Sequence, residues 1–227
     1  MRTLLTSLAL LLCVAAMAQT DTTQKAKPAY KKFLFGVSFH QTWSSIEGTT
    51  PELFYKPSLG GGAKVEYYPL QFLGISAGVM LQQRGAGVIQ PDTGFTAPSM
   101  NTYRTRFRTN YVDFPIAIIL RTPPIKGGAY RISGSFGVVP SYMWEAVEVW
   151  HSVEDGFHKE TDQTANMNRF DLNLQATLGT DINAFGTIFH VGFIGSFGTM
   201  NVYNSTGTLS AYNGKNRSYG IRLGWMF

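Results

Sequence analysis

Apolar side chains alternate with small or polar ones along most of the chain, from about Lys32 to the last residue. An alternation of period two is typical of β-strands with two different faces, because successive side chains of a strand point to opposite sides. The pattern predicts eight strands, which cover residues 33–40, 59–68, 73–84, 111–121, 130–139, 169–181, 188–197 and 218–227.

The polar faces of these strands and the lengths of their connections favour a membrane barrel over a soluble sheet. Glycine, serine, asparagine, threonine and charges of both signs occupy the polar faces, instead of the lysine and glutamate that coat a soluble sheet. Bacterial outer-membrane barrels combine an even number of strands with short periplasmic turns and long external loops. The predicted connections alternate in the same way, long at residues 41–58, 85–109, 143–168 and 199–217 and short at residues 69–71, 122–129 and 183–186.

We therefore expect an all-β fold, an eight-stranded antiparallel transmembrane β-barrel with up-and-down meander topology, over residues 32–227. Both ends of the chain would lie on the periplasmic side, with the long loops outside. Side chains fill the interior of a barrel of this size. A porin-like channel is therefore not expected, and a narrow pore would need an open axis.

The first 18 residues are typical of a secretory signal peptide. Arg2 precedes an apolar stretch that is too short to span a membrane comfortably, and Ala16-Met17-Ala18 offers the small residues at which such signals are cleaved. Residues 19–31 are then interpreted as a flexible periplasmic leader, and the predicted location is the bacterial cell outer membrane after cleavage near Ala18. Cys13 is the only cysteine, so the exported chain would have no disulfide and no cysteine-bound metal.

The composition agrees with this class of protein. Charged residues make up only 15% of the chain, against about 25% in soluble domains. After residue 18 no run of 18 apolar residues occurs, which excludes a helical membrane protein. The net charge of +5 is compatible with nucleic-acid binding, but no recognition motif is present and an exported barrel does not meet cytoplasmic nucleic acid.

Charged residues on the polar faces are predicted to point into the barrel lumen, where an isolated charge is costly unless it is paired or reaches water. We interpret them as a network of ion pairs that fixes the strand register, with a proton or ion path as the alternative. The predicted members are Lys64, Glu66, Arg84, Asp113, Arg121, Arg131, Arg169, Asp171, Asp181 and Arg222. His40 and His190 are expected inside as hydrogen-bonded residues, and Pro115 predicts a bulge or kink because it cannot donate a backbone hydrogen bond.

Three arginines continue the lipid-facing column of the fourth strand beyond the bilayer. Arg104, Arg106 and Arg108 share the parity of the apolar residues Val112 and Phe114. Guanidinium groups match the geometry of phosphate oxygens, so we expect a contact with lipopolysaccharide phosphates. A solvated loop flank is the alternative, and one bulge between Arg108 and Val112 would reverse the parity.

The predicted loop 143–168 combines aromatic, histidine and acidic side chains. These are Trp144, Trp150, His151, Glu154, Asp155, His158 and Glu160. The two histidines lack the spacing of a metal-ligand motif, so we interpret the segment as a hydrated recognition loop. A catalytic site at the loops is the alternative, and no cofactor is expected.

Short motifs resemble known outer-membrane barrels. The alternation of Tyr219, Ile221, Leu223, Trp225 and a final Phe227 resembles the carboxyl-terminal signature that the barrel-assembly machinery reads. The stretch 110–120, with Tyr111, Asp113 and Pro115, together with residues 81–85 and 35–37, resembles the PorT-like family of small outer-membrane barrels. That resemblance implies an integral barrel with no established enzymatic site, some members of which serve in protein secretion or surface assembly.

These features together predict a non-enzymatic scaffold or accessory protein that binds a partner through its external loops or rim. The partner would be a secretion or surface-assembly component, or lipopolysaccharide. The alternative is an outer-leaflet enzyme acting on lipid A or on exposed peptides, which would need a nucleophile or base, its orienting group and an acid together at one rim.

Overall fold

The computed structural model describes residues 31–48, 54–91, 102–152, 158–204 and 213–227. Two single 3-10 turns, Lys126–Gly128 and Thr164–Asn166, accompany the strands, and none of the helical segments described is long and apolar enough to cross a membrane. The strands are β1 (Phe33–Gly48), β2 (Phe54–Leu70), β3 (Leu73–Pro91), β4 (Thr102–Asp113), β5 (Ile116–Arg121), β6 (Tyr130–Ser152), β7 (His158–Asp162), β8 (Phe170–Ala184), β9 (Thr187–Gly198) and β10 (Gly214–Met226).

The strands form one closed antiparallel ring. Apart from β4, β5 and β7, each strand pairs with the barrel strands before and after it, and β1 closes the ring against β10 from Gly36 opposite Met226 to Gly48 opposite Gly214. β4 and β5 act as one barrel strand, since both pair with β3 on one side and β6 on the other. β7 pairs only with β6. The ring therefore contains eight strands in meander order, which confirms the predicted fold class.

The two ends of the barrel differ in their connections. At one end, here called the turn end, residues 71–72, 122–129 and 185–186 join the strands. The opposite end, the loop end, carries the connections 49–53, 92–101 and 199–213 and the extension of β6 that pairs with β7. The predicted alternation of short and long connections holds except at 49–53, where β1 and β2 extend into the predicted loop 41–58.

Pro115 interrupts the barrel strand formed by β4 and β5 without opening the ring. Phe114 and Pro115 lie outside both strands, yet the Phe114 N–H donates to the Pro140 carbonyl oxygen over 2.9 Å. The Pro115 carbonyl oxygen accepts from the Gly78 N–H at 3.1 Å. Because Pro115 has no backbone N–H group to donate, the strand is interrupted at this point, as the sequence predicts.

The outer surface is an apolar band bordered by aromatic rings. At the turn end the rings of Phe33 and Tyr67 are tilted against each other, with centroids 4.7 Å apart, and at the loop end Trp43 stacks with Tyr219 at 6.3 Å. Phe33 and Trp43 lie ten residues apart on β1. At about 3.3 Å per residue and a tilt of about 40°, that separation rises about 25 Å, the height of the apolar band of an outer-membrane barrel.

Several strands run further at the loop end than the alternation predicts. β3 continues to Pro91 and β4 begins at Thr102, inside the predicted loop 85–109. β1 runs to Gly48 and β2 begins at Phe54, and β6 and β7 occupy much of the predicted loop 143–168. The outer face of a strand beyond the bilayer no longer meets lipid, so these segments lack the alternation that marks a lipid-facing strand.

A pair of glycine substitutions tests the packing of the lumen. A Cβ atom on Gly60 would collide with the side chains of Gln82 and His40, whereas one on Gly195 would meet only Phe197, at an ordinary 3.7 Å. We expect Gly60→Ala to lower the free energy of unfolding by about 1–3 kcal/mol and Gly195→Ala to have little effect. Denaturant unfolding of both variants in detergent measures the difference, and equal midpoints would contradict a packed lumen.

Candidate functional site: the lumen and the loop-end rim

An ion cluster lies inside the barrel on its loop-end side. The Arg84 guanidinium contacts the Asp113 carboxylate at 2.5 Å and the Asp171 carboxylate at 3.9 Å, and all three side chains are buried. Asn173 and Asn216 donate to the Asp171 Oδ2 atom over 3.1 and 2.8 Å. These donors and the guanidinium stabilise two carboxylates that would otherwise be costly to bury.

A second ion cluster lies on the turn-end side. The Glu66 carboxylate accepts from Lys64 at 2.5 Å, from Arg121 at 3.0 Å and from the Tyr68 hydroxyl at 2.7 Å. The other side of the Arg121 guanidinium contacts the Asp181 carboxylate at 2.6 Å. Arg121 therefore links carboxylates from β2 and β8, two strands that are not neighbours in the ring.

Three predicted lumen cations do not join these clusters. Arg222 is buried, and its Nη2 atom lies 3.4 Å from the Ser38 hydroxyl; its Nε atom has no hydrogen-bond partner among the described residues. Arg131 is half-buried opposite Asp181. Arg169 contradicts the prediction, because it is exposed and donates to the Tyr142 hydroxyl at 3.3 Å. It precedes the first residue of β8, so the alternation of that strand does not determine its direction.

Apolar side chains close the lumen beyond both ion clusters. At the turn end Leu34, Tyr68, Ile119 and Met226 form a buried group. At the loop end the buried group consists of Ile46, Ala86, Tyr111, Met143, Ala146, Met167, Val202 and Tyr203. Met167, Val202 and Tyr203 come from connections, where no periodicity marks a residue as buried, so the sequence analysis missed them. A narrow pore is thus not favoured by the described part of the lumen.

The histidines on the inner face are hydrogen-bonded, but they do not form a catalytic arrangement. His40 contacts the Gln82 side chain through Nε2. His190 Nδ1 lies 2.8 Å from Asp181 Oδ1 and 3.3 Å from the Ser133 hydroxyl. A serine triad needs the acid and the serine on opposite ring nitrogens. In this chain Asp181 and Ser133 both contact the same nitrogen, Nδ1 of His190, inside the barrel.

The register of β4 determines the direction of the loop-end arginines. β4 pairs with β3 without a break from Asp113 opposite Met80 to Thr102 opposite Pro91. The one irregularity nearby lies in β6, where Trp144 is the extra residue between the pairs of Asn110 and Tyr111. The backbones at Arg106 and Arg108 therefore keep the parity of the lipid-facing Val112. The side chain of Arg104 lies outside the described residues.

The surroundings of these arginines contain glycine and another cation. Gly85 lies opposite Arg108 and Gly87 opposite Arg106, so the β3 residues directly paired with these arginines have no side chain; Arg106 is exposed and Arg108 is half-buried. Burial, together with the like charges of Arg108 and Arg106, lowers the pKa of the Lys56 ammonium to about 8, and this group donates to Gln83 Oε1 at 3.0 Å. The ion pairs found in the described parts of the chain include none of Lys56, Arg106 and Arg108. We call Lys56, Arg106 and Arg108 the rim cations.

The predicted recognition loop is in part an extension of the sheet. Trp144 is exposed at the bulge of β6, and His158 contacts the Glu160 carboxylate at 3.4 Å on the surface of β7. Trp150 is half-buried, and Glu154, Asp155 and the side chain of His151 lie outside the described residues. Within the described ranges, no group of three histidine, cysteine or acidic residues is placed to hold a metal ion.

Arg121 and Arg217 offer a matched test of the buried network. Each contacts a carboxylate, but Arg121 is buried whereas the side chain of Arg217, beside Glu47, is 48% exposed. We expect Arg121→Met to cost about 3–5 kcal/mol of unfolding free energy, because it leaves buried carboxylates underpaired. Arg217→Met is expected to cost at most about 1 kcal/mol. Denaturant unfolding in detergent compares them, and equal losses would contradict a stabilising role of the network.

A conductance measurement tests the closure of the lumen. Because apolar groups lie at both ends of the ion clusters, we expect the purified protein to produce no regular conductance steps in planar bilayers at high salt. Discrete, reproducible steps would contradict the packed lumen and favour the pore.

Comparisons with known proteins find solved structures and a family model that are similar to this chain. Solved structures similar to the chain include the attachment invasion locus protein Ail of Yersinia pestis, with 13% identity, coverage of 87% of this chain and 100% of that chain, and a TM-score of 0.44. Neisserial surface protein A is 8% identical, with 86% and 96% coverage and a TM-score of 0.46. OprG of Pseudomonas aeruginosa is 12% identical, with 86% and 95% coverage and a TM-score of 0.35.

A search of curated protein sequences finds no match. A family model described as the outer membrane protein beta-barrel domain matches residues 17–204. That match covers most of the chain and includes the strands from β1 to β9. The chain therefore belongs to the family of outer-membrane β-barrel proteins.

Proposed function

We propose that this outer-membrane barrel is a non-enzymatic surface protein that binds lipopolysaccharide phosphates through its rim cations. The observation that carries the proposal is the unbroken register between β3 and β4. It keeps Arg106 and Arg108 on the parity of the lipid-facing column, and Arg104 belongs to the same column by its position in β4. The partner therefore meets the barrel from the membrane side of the rim.

The position of the rim cations along the barrel fits the phosphate layer. The long connections of outer-membrane barrels lie outside the cell, so the loop end faces the outer leaflet. Trp144 is exposed on β6 beside Tyr111 of β4, and aromatic residues of this kind sit at the membrane interface. Arg108 and Arg106 follow on the loop-end side of this level, where phosphate groups of lipopolysaccharide lie.

The chemistry of the rim cations also favours an anionic ligand. Three like charges repel each other, and the described residues provide no carboxylate within ion-pair distance of them. A phosphate group accepts several charge-assisted hydrogen bonds and offsets this repulsion. Arginine gives such bonds in pairs, and the β3 residues directly opposite Arg108 and Arg106 are glycines, which have no side chain to compete for them.

The finer expectations from the sequence belong to this proposal. They are membership of the PorT-like group, a scaffold or accessory role beside a secretion or surface-assembly component, cleavage after Ala18, and recognition of the carboxyl-terminal residues by the barrel-assembly machinery. Tyr219, Leu223, Trp225 and Phe227 are exposed on the outer face and Ile221 is half-buried, which supports a signal that another protein can read.

A triple substitution tests lipopolysaccharide binding. We expect Lys56→Gln/Arg106→Gln/Arg108→Gln to reduce the lipopolysaccharide that co-purifies in mild detergent by at least about tenfold. Each hydrogen bond to a charged group contributes about 1.5 kcal/mol or more, and about 1.4 kcal/mol is a factor of ten in affinity. Lipid A phosphate per mole of folded protein is the quantity measured.

Three lysines at the other end of the barrel provide the control. Lys31→Gln/Lys32→Gln/Lys126→Gln removes the same charge from exposed positions at the turn end and is expected to leave bound lipopolysaccharide unchanged. Unchanged lipopolysaccharide on the rim variant would overturn the proposal. An equal loss on both variants would do so too, because it would show a dependence on net charge alone.

A further inference from the structure

Arg222 of β10 is a buried cation for which the described residues provide no carboxylate within ion-pair distance. Its Nε atom has no hydrogen-bond partner among them, and its Nη2 atom has only a long contact of 3.4 Å with the Ser38 hydroxyl. By contrast, Lys64, Arg84 and Arg121 each contact at least one carboxylate. An unpaired buried charge is strongly destabilising, so Arg222 needs a negative partner.

The neighbours of Arg222 across the sheet offer no negative charge. Pairing of β10 with β1 and β9 places Arg222 between His40 and Gly192. Ser38, which the Arg222 guanidinium contacts, lies opposite a glycine on each side. The residues that surround the guanidinium in the register are therefore neutral or have no side chain.

The turn-end ion cluster has no carboxylate left for Arg222. Glu66 contacts Lys64 at 2.5 Å and Arg121 at 3.0 Å. Asp181 contacts the other side of the Arg121 guanidinium at 2.6 Å. The two carboxylates of this cluster thus already balance its two cations, and Arg222 adds a positive charge without a partner.

The loop-end ion cluster is too distant to pair with Arg222. Asn216, which donates to Asp171 of that cluster, lies on the same strand as Arg222. The stretch of β10 between these two residues spans about 20 Å, which is well beyond the reach of an arginine side chain. The other carboxylate of the cluster, that of Asp113, is bound to Arg84 at 2.5 Å.

The surroundings of Arg222 suit a small ion. The residue retains 7% of its accessible surface although its side chain faces the lumen, so a molecule the size of water still reaches it. Apolar groups close the described lumen at both ends, and side chains fill most of the interior of an eight-stranded barrel. A monatomic anion fits such a space, whereas a lipid, a sugar or a large oxyanion does not.

We propose that Arg222 and Ser38 bind a chloride ion inside the barrel. The Nε and Nη2 groups point to the same side of the guanidinium and donate two charge-assisted hydrogen bonds to the ion. The Ser38 hydroxyl, beside Nη2, donates a third. Because both ends of the lumen are closed, the ion enters as the barrel folds and exchanges slowly afterwards. The site shares no residue with the rim cations and does not depend on lipopolysaccharide binding.

Bromide, a slightly larger halide, allows the enclosed ion to be counted. The protein is refolded in detergent with sodium bromide and transferred to sodium gluconate, and its bromide content is measured by elemental mass spectrometry. We expect the native barrel to retain a stoichiometric amount of bromide. Arg222→Met is expected to retain at least about tenfold less, because it loses hydrogen bonds to a charged group.

Arg217→Met provides the matched control, since it removes the same charge from an exposed ion pair with Glu47. This variant is expected to retain as much bromide as the native protein. No bromide on the native barrel would overturn the proposal. Equal bromide on the native protein and on Arg222→Met would do so too, because it would show an adventitious ion only.

Unfolding by urea tests the same site at equilibrium and with a milder variant. Chloride replaces gluconate at constant ionic strength, and urea is used because guanidinium chloride would supply the ion. A ligand that binds only the folded state raises its stability with concentration, so we expect the native unfolding midpoint to rise with chloride. Ser38→Ala keeps the guanidinium and is expected to need at least about tenfold more chloride for the same rise. A native midpoint that does not change with chloride would contradict the proposal.

Discussion

Every backbone N–H and C=O group within a bilayer must find a partner in the protein itself, and the rest of this structure follows from that constraint. β-Strands satisfy it only when the sheet closes, and β1 and β10 close it here over 13 residue pairs. A ring of eight strands leaves an interior that is just wide enough for side chains. Charges that face inward must then be paired inside the barrel.

The ion clusters show how this pairing links distant parts of the ring. Arg121 joins carboxylates from β2 and β8, and Arg84 lies between Asp113 and Asp171. With apolar groups beyond both clusters, side chains fill the described part of the lumen. Contacts with lipids and other macromolecules are therefore expected at the outer surfaces, where the rim cations and the exposed turn residues lie.

Much of the architecture could be predicted because lipid on one side of a strand enforces alternation. The inward direction of Lys64 or Asp181 and the break at Pro115 follow from that period alone. The direction of the Arg169 side chain could not be predicted, because Arg169 lies just before β8, where the alternation of that strand does not apply. Beyond the bilayer the outer face of a strand no longer meets lipid, so β7 and the ends of β3 and β6 do not show the alternation from which strands were predicted. The contribution of Lys56 to the rim depends on contacts between strands, which a single sequence does not contain.

The most direct test of the account is the distance between the rim cations and lipid phosphorus. In bilayers containing lipopolysaccharide, solid-state NMR with 15N-labelled arginine and 31P recoupling measures this contact. We predict a loss of guanidinium 15N intensity that is clearly smaller in the Arg106→Gln/Arg108→Gln variant, since the lumen arginines are shielded from lipid. No loss in the native protein, or the same loss in the variant, would contradict a phosphate contact at the rim.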